Sequence, residues 1–599
     1  MLRNQIVQFF HKLPAGRRAL ALVWRAAGAW TVAWVVLLVL QGMIPAVLAL
    51  LLRTLVNRLV AAPIWQSAAP PALGIAILWL VGQLLSNALS WVRAVQAENV
   101  QDEVHRLIHQ QALRLDLAFF DHPESYDRLY RAQVDSASQP LALLESLGTL
   151  VQNGLGFLAL AGILWTYTGW LPMLLVFTAV PGLLLVARHI LKEHQWHLDN
   201  TNQERRANYL DWLITDEYSA GELRLYDLGG FHHEAFESVR KFLRLGKLRL
   251  VRIGAITELV AGILAWAGSL VGLGWVFRQT LQGHFKLGDL LLCFQAFQQG
   301  QSQLRSLLEG AGKIYKSLLF VDNLDEFLAI EPSIQPGVTG EPGLPARECI
   351  RFEHVSFTYP GGIYPALSDF NLEIPQGKVV ALVGANGAGK STLIKLLCRF
   401  YDPHEGQILI DGVDLRDLDT EAMRRQIAVL FQEPVHYHAT VGENIAFGEI
   451  KKPQDMVRAW EAAEHAGAIE PIERLPRGFD TMLGKWFGGS DLSVGEWQRV
   501  ALARAFYRKA SLVILDEPTS AMDSWAEHDW LNRFRQLAEG RTALMITHRF
   551  TTAMHADIIH VLDKGQVIES GTHAQLVAHR GVYASSWAAQ MQEIARADR

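Results

Sequence analysis

Long uncharged apolar runs fill the first half of the chain, and short apolar strands between polar helical stretches fill the second. No charged residue occurs from Ala26 to Leu52 or from Leu59 to Val92. Each run exceeds the ~20 residues that cross the hydrocarbon core of a bilayer. Ile44-Pro45 in the first run marks a kink point, and Pro70-Pro71 in the second marks a helix start. Arg93 to Glu145 is of mixed charge with helical spacing, broken at Phe119-Phe120-Asp121-His122-Pro123. Ser146 to Ala187 is again uncharged and long enough for two spans about a turn at Trp165–Trp170, whose aromatics suit the headgroup level. After the polar helical stretch Arg188–Arg252, Leu259 to Phe277 makes a fifth span. Leu287 to Leu304, interrupted by glutamines, makes a sixth.

Basic residues orient these spans. Arg3, Lys12, Arg17, Arg18 and Arg25 stand before the first span with no acid among them, and Arg188, Lys192, Arg205 and Arg206 follow the fourth. The turn at Trp165–Trp170 has no basic residue. Both termini are therefore expected in the cytoplasm. A signal peptide does not fit, because the apolar core is too long and no small-residue cleavage site follows. Pro332, Pro336, Gly337, Gly340, Pro342, Gly343 and Pro345 have the composition of a linker. The expected division is an N-terminal segment 1–25, a helical membrane domain 26–330, a linker 331–347 and an α/β domain 348–599.

Composition adds less. The 599 residues suggest two to four domains. A mean hydropathy of +0.13 is high for a soluble protein of this size. The net charge of −5 argues neither for nor against nucleic acid. Cys293, Cys349 and Cys398 are too scattered for a disulfide framework or a metal site.

The chemistry lies in the second half. Val379 to Thr392 reads V-V-A-L-V-G-A-N-G-A-G-K-S-T: a valine-rich strand, a glycine loop and a helical start. This context is what a G-x-x-x-x-G-K-[ST] phosphate loop requires. The glycines Gly384, Gly387 and Gly389, with Asn386 between them, let backbone N–H groups turn toward phosphate oxygens, and the helix N-terminus adds its positive end. Lys390 is placed for the β- and γ-phosphates, and Ser391, followed by Thr392, for Mg²⁺. Ser511-Leu-Val-Ile-Leu-Asp516-Glu517 is an apolar strand ending in two acids, where an open α/β sheet binds ligands. Asp516 suits the Mg²⁺ shell and Glu517 a general base. Tyr359 precedes Pro360-Gly-Gly; it is either an adenine platform or an exposed turn tyrosine. His548 follows the strand 543–547, a position more often structural than catalytic.

Leu492-Ser-Val-Gly-Glu-Trp-Gln498-Arg499 precedes a helical run and resembles the signature motif of ABC ATPases. With it the whole chain resembles a bacterial ABC exporter half-transporter of the type IV class: an all-α domain of six transmembrane helices, then an α/β P-loop nucleotide-binding domain. The motifs occur in family order. The resemblance puts Tyr359 at the adenine loop, Gln432 at the Q-loop beside catalysis and Mg²⁺, Ser493, Gly495 and Glu496 at the signature, Asp523 at the D-loop and His548 at the switch histidine. It implies ATP and Mg²⁺ as cofactors, and a dimer in which each ATP lies between one chain's phosphate loop and the other's signature. A homodimer is expected, since no ATP-site residue is plainly lost, with a heterodimer as the alternative. Val494 and Glu496 depart from the commoner glycine and glutamine.

The arrangement Gly484-Lys485-Trp486-Phe487 ahead of Leu492-Ser-Val-Gly-Glu-Trp-Gln resembles a subgroup that includes lantibiotic and other peptide exporters lacking a peptidase domain. The first cysteine is Cys293, so no cysteine-peptidase domain is expected ahead of the spans. Pro123–Ala132 and Ala220–Asp227 are the expected contacts with the ATPase domain. Gln295, Gln298, Gln299 and Gln303 recur at helical spacing in the sixth span, and Glu258 stands at the start of the fifth. They either line a translocation path or bond neighbouring helices. The expected function is ATP-driven export of a peptide-like or amphipathic substrate across the bacterial inner membrane. Alternatives are an ATP-regulated channel or sensor, or export of lipid or drug-like small molecules. Membrane lipid and an exported substrate are the expected partners, and nucleic acid is not.

Overall fold

The computed structural model describes residues 13–61, 64–122, 125, 128–130, 132–133, 139–335, 337, 346–518, 530, 533–534, 538 and 540–597. The chain divides into two compact units, residues 1–113 with 127–330, and residues 114–126 with 331–599.

The first unit is helical. Its long helices are α1 (Leu13–Ala61), α2 (Trp65–Arg114), α4 (Gln139–Trp165), α5 (Trp170–Thr215), α7 (Gly229–Leu281) and α8 (Leu287–Leu328), with a short α6 (Ala220–Leu225) between α5 and α7. The five-residue α3 (Leu117–Asp121) follows α2 in the chain but belongs to the second unit. At 1.5 Å per residue, the 53 residues of α7 reach about 80 Å, more than twice the hydrocarbon thickness. Among the described residues α1, α2, α4 and α7 contain stretches apolar enough to cross a membrane.

Two expectations are corrected. Backbone angles in α1 leave the helical region at Ala27 (φ −142°, ψ 33°), whereas the helix continues through Pro45. The second run begins its helix at Trp65, ahead of Pro70 and Pro71, which sit inside α2. Pro70 and Pro71 stand past the four N–H groups that a helix start leaves free, so α2 forgoes their bonds to the carbonyls of Gln66 and Ser67, and Arg58 donates to the freed Ser67 carbonyl (3.3 Å).

Small residues let the helices approach. A Cβ at Gly268 of α7 would lie 1.9 Å from Thr178 Cγ2 of α5, and one at Gly254 would lie 2.6 Å from His189 Nε2. Close backbone approach of this kind replaces the hydrophobic drive that is missing between helices in lipid. Polar groups at the helix ends are paired. Asp289, 5% exposed, accepts from Arg53 Nε (2.6 Å), Tyr167 Oη (2.7 Å) and the Lys286 backbone N–H (2.8 Å), joining α1, the Trp165–Trp170 turn and the start of α8.

The second unit holds two sheets. Strands β1 (Cys349–Phe357), β2 (Leu367–Pro375), β4 (Glu405–Ile410) and β5 (Val413–Asp414) form an antiparallel sheet in the order β2-β1-β4-β5. The larger sheet runs β10-β9-β3-β8-β7-β6, with β3 (Val379–Gly384), β6 (Ile427–Leu430), β7 (Leu512–Asp516), β8 (Thr542–Ile546), β9 (Ile558–Asp563) and β10 (Gln566–Gly571). All its pairings are parallel except β10 with β9. Residues of β7 and β8 are buried throughout, as a parallel sheet covered on both faces requires. Val513, Leu515, Ala543 and Met545 face one core, shared with α10 (Val494–Tyr507). Leu512, Ile514, Leu544 and Ile546 face the other, shared with α9 (Lys390–Leu397). A C-terminal helix, α11 (Val582–Ala597), completes this unit.

Leu117 and Ala118 of α3 pack against the core that contains α9. Asp116 accepts from the backbone N–H of Ser333 (2.5 Å) and of Ile334 (3.0 Å), and the Tyr401 hydroxyl donates to Asp121. The contact expected over Pro123–Ala132 is thus made by the residues just before it; much of 123–132 lies outside the described residues. The helical stretch breaks within the expected Phe119–Pro123, at His122, where the backbone turns extended (φ −96°, ψ 116°), and also ahead of it, between Arg114 and Leu117; Phe119 and Phe120 themselves lie in α3. The other expected contact, Ala220–Asp227, contains α6, which buries none of its residues and exposes Leu225.

Candidate nucleotide site and membrane cavity

β3 delivers the phosphate loop to the start of α9. Gly387 (φ +81°) and Gly389 (φ +100°) occupy left-handed backbone conformations, and a Cβ at Gly389 would lie 2.7 Å from the Ala366 carbonyl oxygen. No other residue fits there. Lys390, 6% exposed, turns back and donates to the carbonyl oxygens of Gly384 (2.8 Å) and Ala385 (2.9 Å). Burial lowers its ammonium pKa, opposed by the charges of Glu517 and Asp516.

The acids sit at the end of β7. Asp516 is also 6% exposed; burial pushes its carboxyl up to about 6, against a hydrogen bond from Ser391. Glu517 adopts φ +47°, an uncommon conformation for a non-glycine residue, and its N–H donates to the Ile546 carbonyl (2.9 Å). Its two oxygens are separately engaged. Gln432 Nε2 donates to Oε2 at 3.2 Å, and His548 Nδ1 lies 3.3 Å from Oε1. The Tyr359 hydroxyl is 3.1 Å from Thr392 Oγ1, and Lys395 Nζ lies 4.9 Å from the Tyr359 ring centroid.

A cavity of about 980 Å³ unites these residues. Tyr359, Gly384, Asn386, Gly387, Gly389 and Lys390 line it, as do Ser391, Thr392, Gln432, Glu517 and His548, with Asp516 behind. Phe550, Ile568, Val582 and Ser586 close another wall that the sequence reading missed. These come from β10, α11 and the segment after His548, and carry no motif; only the tertiary fold brings them there.

The signature residues are not among those lining this cavity. Ser493 caps α10: its Oγ accepts from the Glu496 N–H (3.4 Å), and Glu496 Oε2 accepts from the Ser493 N–H (2.9 Å). Glu496 Oε1 also accepts from Arg474 (2.9 Å). A glutamate at this third helical position completes a capping box, as a glutamine also would; what its charge adds is the ion pair with Arg474. Val494, the first residue of α10, is 66% exposed, so nothing within its own chain crowds the branched side chain. Gly495 follows it in the first turn. Asp523 lies outside the described residues.

Among the described residues no three His, Cys, Asp or Glu side chains cluster as a metal site. Mg²⁺ does not need such a cluster: one or two carboxylates with phosphate and water oxygens suffice. The buried Asp516 carboxylate with the Ser391 hydroxyl beside it fits that ion.

A second cavity, of about 710 Å³, lies among α5, α7 and α8. Glu258, Gln298 and Gln299 line it; Gln295 does not and is half-buried. Gln303 is 3% exposed on another face of α8, where a Cβ at Gly156 would lie 2.4 Å from its Nε2. Arg305, Gln301 and Trp266, which line the cavity, had not been singled out in the sequence. Helical spacing gives a shared face but not which way it turns.

Residues 367–520 match the family described as "ABC transporter". The subtilin transport ATP-binding protein SpaT of Bacillus subtilis is 30% identical over 547 residues, covering 90% of this chain and 88% of that protein. The ATP-dependent lipid A-core flippase of Haemophilus ducreyi is 31% identical over 513 residues, covering 85% and 86%. A solved bacterial Atm1-family ABC exporter with ATP bound shares the fold, with a TM-score of 0.78 over 93% of this chain and 98% of that one at 24% identity. With phosphate loop, paired acids and apolar helices in one chain, this protein belongs to the ABC exporters: it is a multi-pass membrane transport ATPase of the half-transporter kind, which binds ATP.

Proposed function

We propose that two copies of this chain form the working exporter and that it moves a peptide-like or amphipathic substrate out across the bacterial inner membrane by alternating access. In this reading all six long helices, α5 and α8 included, cross the membrane, and both termini face the cytoplasm. The observation that carries it is the split of the ATP machinery. Phosphate loop, acids, Gln432 and His548 converge on one cavity, while Ser493 caps a helix outside it. A second copy supplies the missing half, placing the N-terminus of its α10 against the γ-phosphate.

The residues have the following tasks. Tyr359 stacks on adenine. Lys390 exchanges the carbonyls of Gly384 and Ala385 for β- and γ-phosphate oxygens, and the loop N–H groups take up the remaining charge. Ser391, Gln432 and Asp516 would hold Mg²⁺, which would offset phosphate charge. Glu517, held from both sides by Gln432 and His548, accepts the proton of the attacking water as its oxygen bonds to the γ-phosphorus and the bridge to ADP breaks. His548 reaches the departing phosphate from the rim. Glu258, Gln298 and Gln299 belong to the substrate path; Gln295, expected with them, is set aside.

The test is ATP hydrolysis by the purified chain in lipid nanodiscs. Glu517→Gln is expected to lower the rate about 100-fold or more, the usual worth of a general base, while nucleotide still binds. Wild-type activity unchanged by the substitution, or activity linear in protein through dilution to monomer, would overturn the reading.

A further inference from the structure

The cavity among α5, α7 and α8 has a direction. The Glu258–Arg305 pair joins α7 to α8 at one level (2.7 Å), and Gln301 Nε2 joins the Ala265 carbonyl (2.7 Å) and Ser269 Oγ (2.6 Å) at the next. Lining residues then continue to Leu273 and Phe294. From Glu258 to Leu273 is about 22 Å along α7 at 1.5 Å per residue. The wall is charged at one end and apolar or aromatic at the other, through Trp266, Leu270, Phe297 and Phe294.

The charged end is not balanced. Arg305 donates through Nη2 to Glu258 and through Nε to Glu309 (2.9 Å), so one guanidinium serves two carboxylates. Both carboxylates are about half exposed, at 52% and 46%. One carboxylate would suffice to hold Arg305 and fasten the helices, so the second is surplus to a purely structural role. Ionisable groups near a membrane interior are costly and mark substrate routes. A surplus negative charge at the half-exposed end of the cavity repels an anionic headgroup and attracts a cation. Trp266, which also lines the cavity, is the aromatic type that best attracts a cation.

We propose that this cavity binds cationic amphiphiles: a protonated amine, as on a lysine-bearing peptide, sits on Glu258, which Glu309 relieves of part of its hold on Arg305 from outside the lining, while the apolar part lies along Trp266, Leu270 and Phe294. This rests on the exporter reading above and chooses among its substrates, selecting against phosphorylated lipids.

The experiment uses the full chain in nanodiscs of zwitterionic lipid and three fluorescent probes. They are an amphipathic lysine peptide, the same peptide with glutamate for lysine, and a phosphorylated glucosamine lipid. The lysine peptide is expected to bind about tenfold tighter than the glutamate peptide. Glu258→Gln and Glu309→Gln should each shrink that preference severalfold, Glu258→Asp should keep it, and Arg305→Gln should widen it. Equal or tighter binding of the glutamate peptide or the glycolipid, no binding of either peptide, or a preference indifferent to all these substitutions would overturn the proposal. The exporter reading is judged separately, by ATP hydrolysis and its loss in Glu517→Gln.

Discussion

The imidazole of His436 lies flat on the indole of Trp497, ring centroids 4.3 Å apart and planes within 6°. Burial lowers the His436 pKa, so two neutral rings face each other at neutral pH. Trp497 Nε1 also donates to Asp491 (3.4 Å), and the neighbouring Tyr437 ring lies under the Arg504 guanidinium at 4.8 Å. Trp497 and Arg504 both belong to α10. The segment that leaves Gln432 is thereby bolted to the helix that Ser493 opens, so that any displacement of Gln432 would carry to the signature.

His436→Ala should therefore slow turnover without weakening nucleotide binding. An aromatic stack of this kind is worth about 1 kcal/mol, so maximal ATPase should fall about fivefold. The affinity for a fluorescent ATP analogue, measured on Glu517→Gln protein, should stay within about twofold. Equal losses in both would mean a general loss of structure.

Asp516 predicts a pH dependence of nucleotide binding. Its raised pKa, about 6, means that a proton competes with the cation below that value. Apparent affinity for Mg²⁺·ATP should be flat above pH 7 and fall about tenfold per pH unit below 6. The nucleotide-free fold moves the other way: a carboxyl pKa raised by burial favours the native state at low pH, and that contribution fades as pH rises through 6. Asp516→Asn should remove the slope in both titrations, by isothermal calorimetry and by thermal melting.

Asp289 predicts a loss confined to stability. Asp289→Ala strands Arg53 and the Tyr167 hydroxyl in a largely buried place. A fully buried pair broken this way costs 3–5 kcal/mol; with Arg53 two-fifths exposed, about 2 kcal/mol is expected. The melting temperature in detergent should drop, and Arg53→Met with Asp289→Leu should recover most of it.

What could be read ahead of the structure was what is local in sequence. The phosphate loop, the Asp516-Glu517 strand end and the capped signature each combine a short residue pattern with the element that follows it, and all three fold as the pattern requires. Kinks and helix starts were less legible: Pro45 is absorbed by α1 while Ala27 interrupts it, because neighbouring helices decide which deviation is tolerated. The α11 wall of the nucleotide cavity, the His436–Trp497 stack and the turning of Gln298 rather than Gln295 toward the membrane cavity all depend on partners distant in sequence. No window of residues encodes them.

The seat of α3 bears on how such proteins can be cut and recombined. Leu117, Ala118 and Asp121 stand more than two hundred residues ahead of the ATPase domain, yet they cover part of its core and satisfy Tyr401. A fragment starting at residue 348 would be missing a piece of itself, leaving an uncovered apolar patch and a hydroxyl without its acceptor. Exchange of ATPase halves between exporters should succeed only when this short insert travels with them, so that the unit of inheritance is discontinuous in the gene.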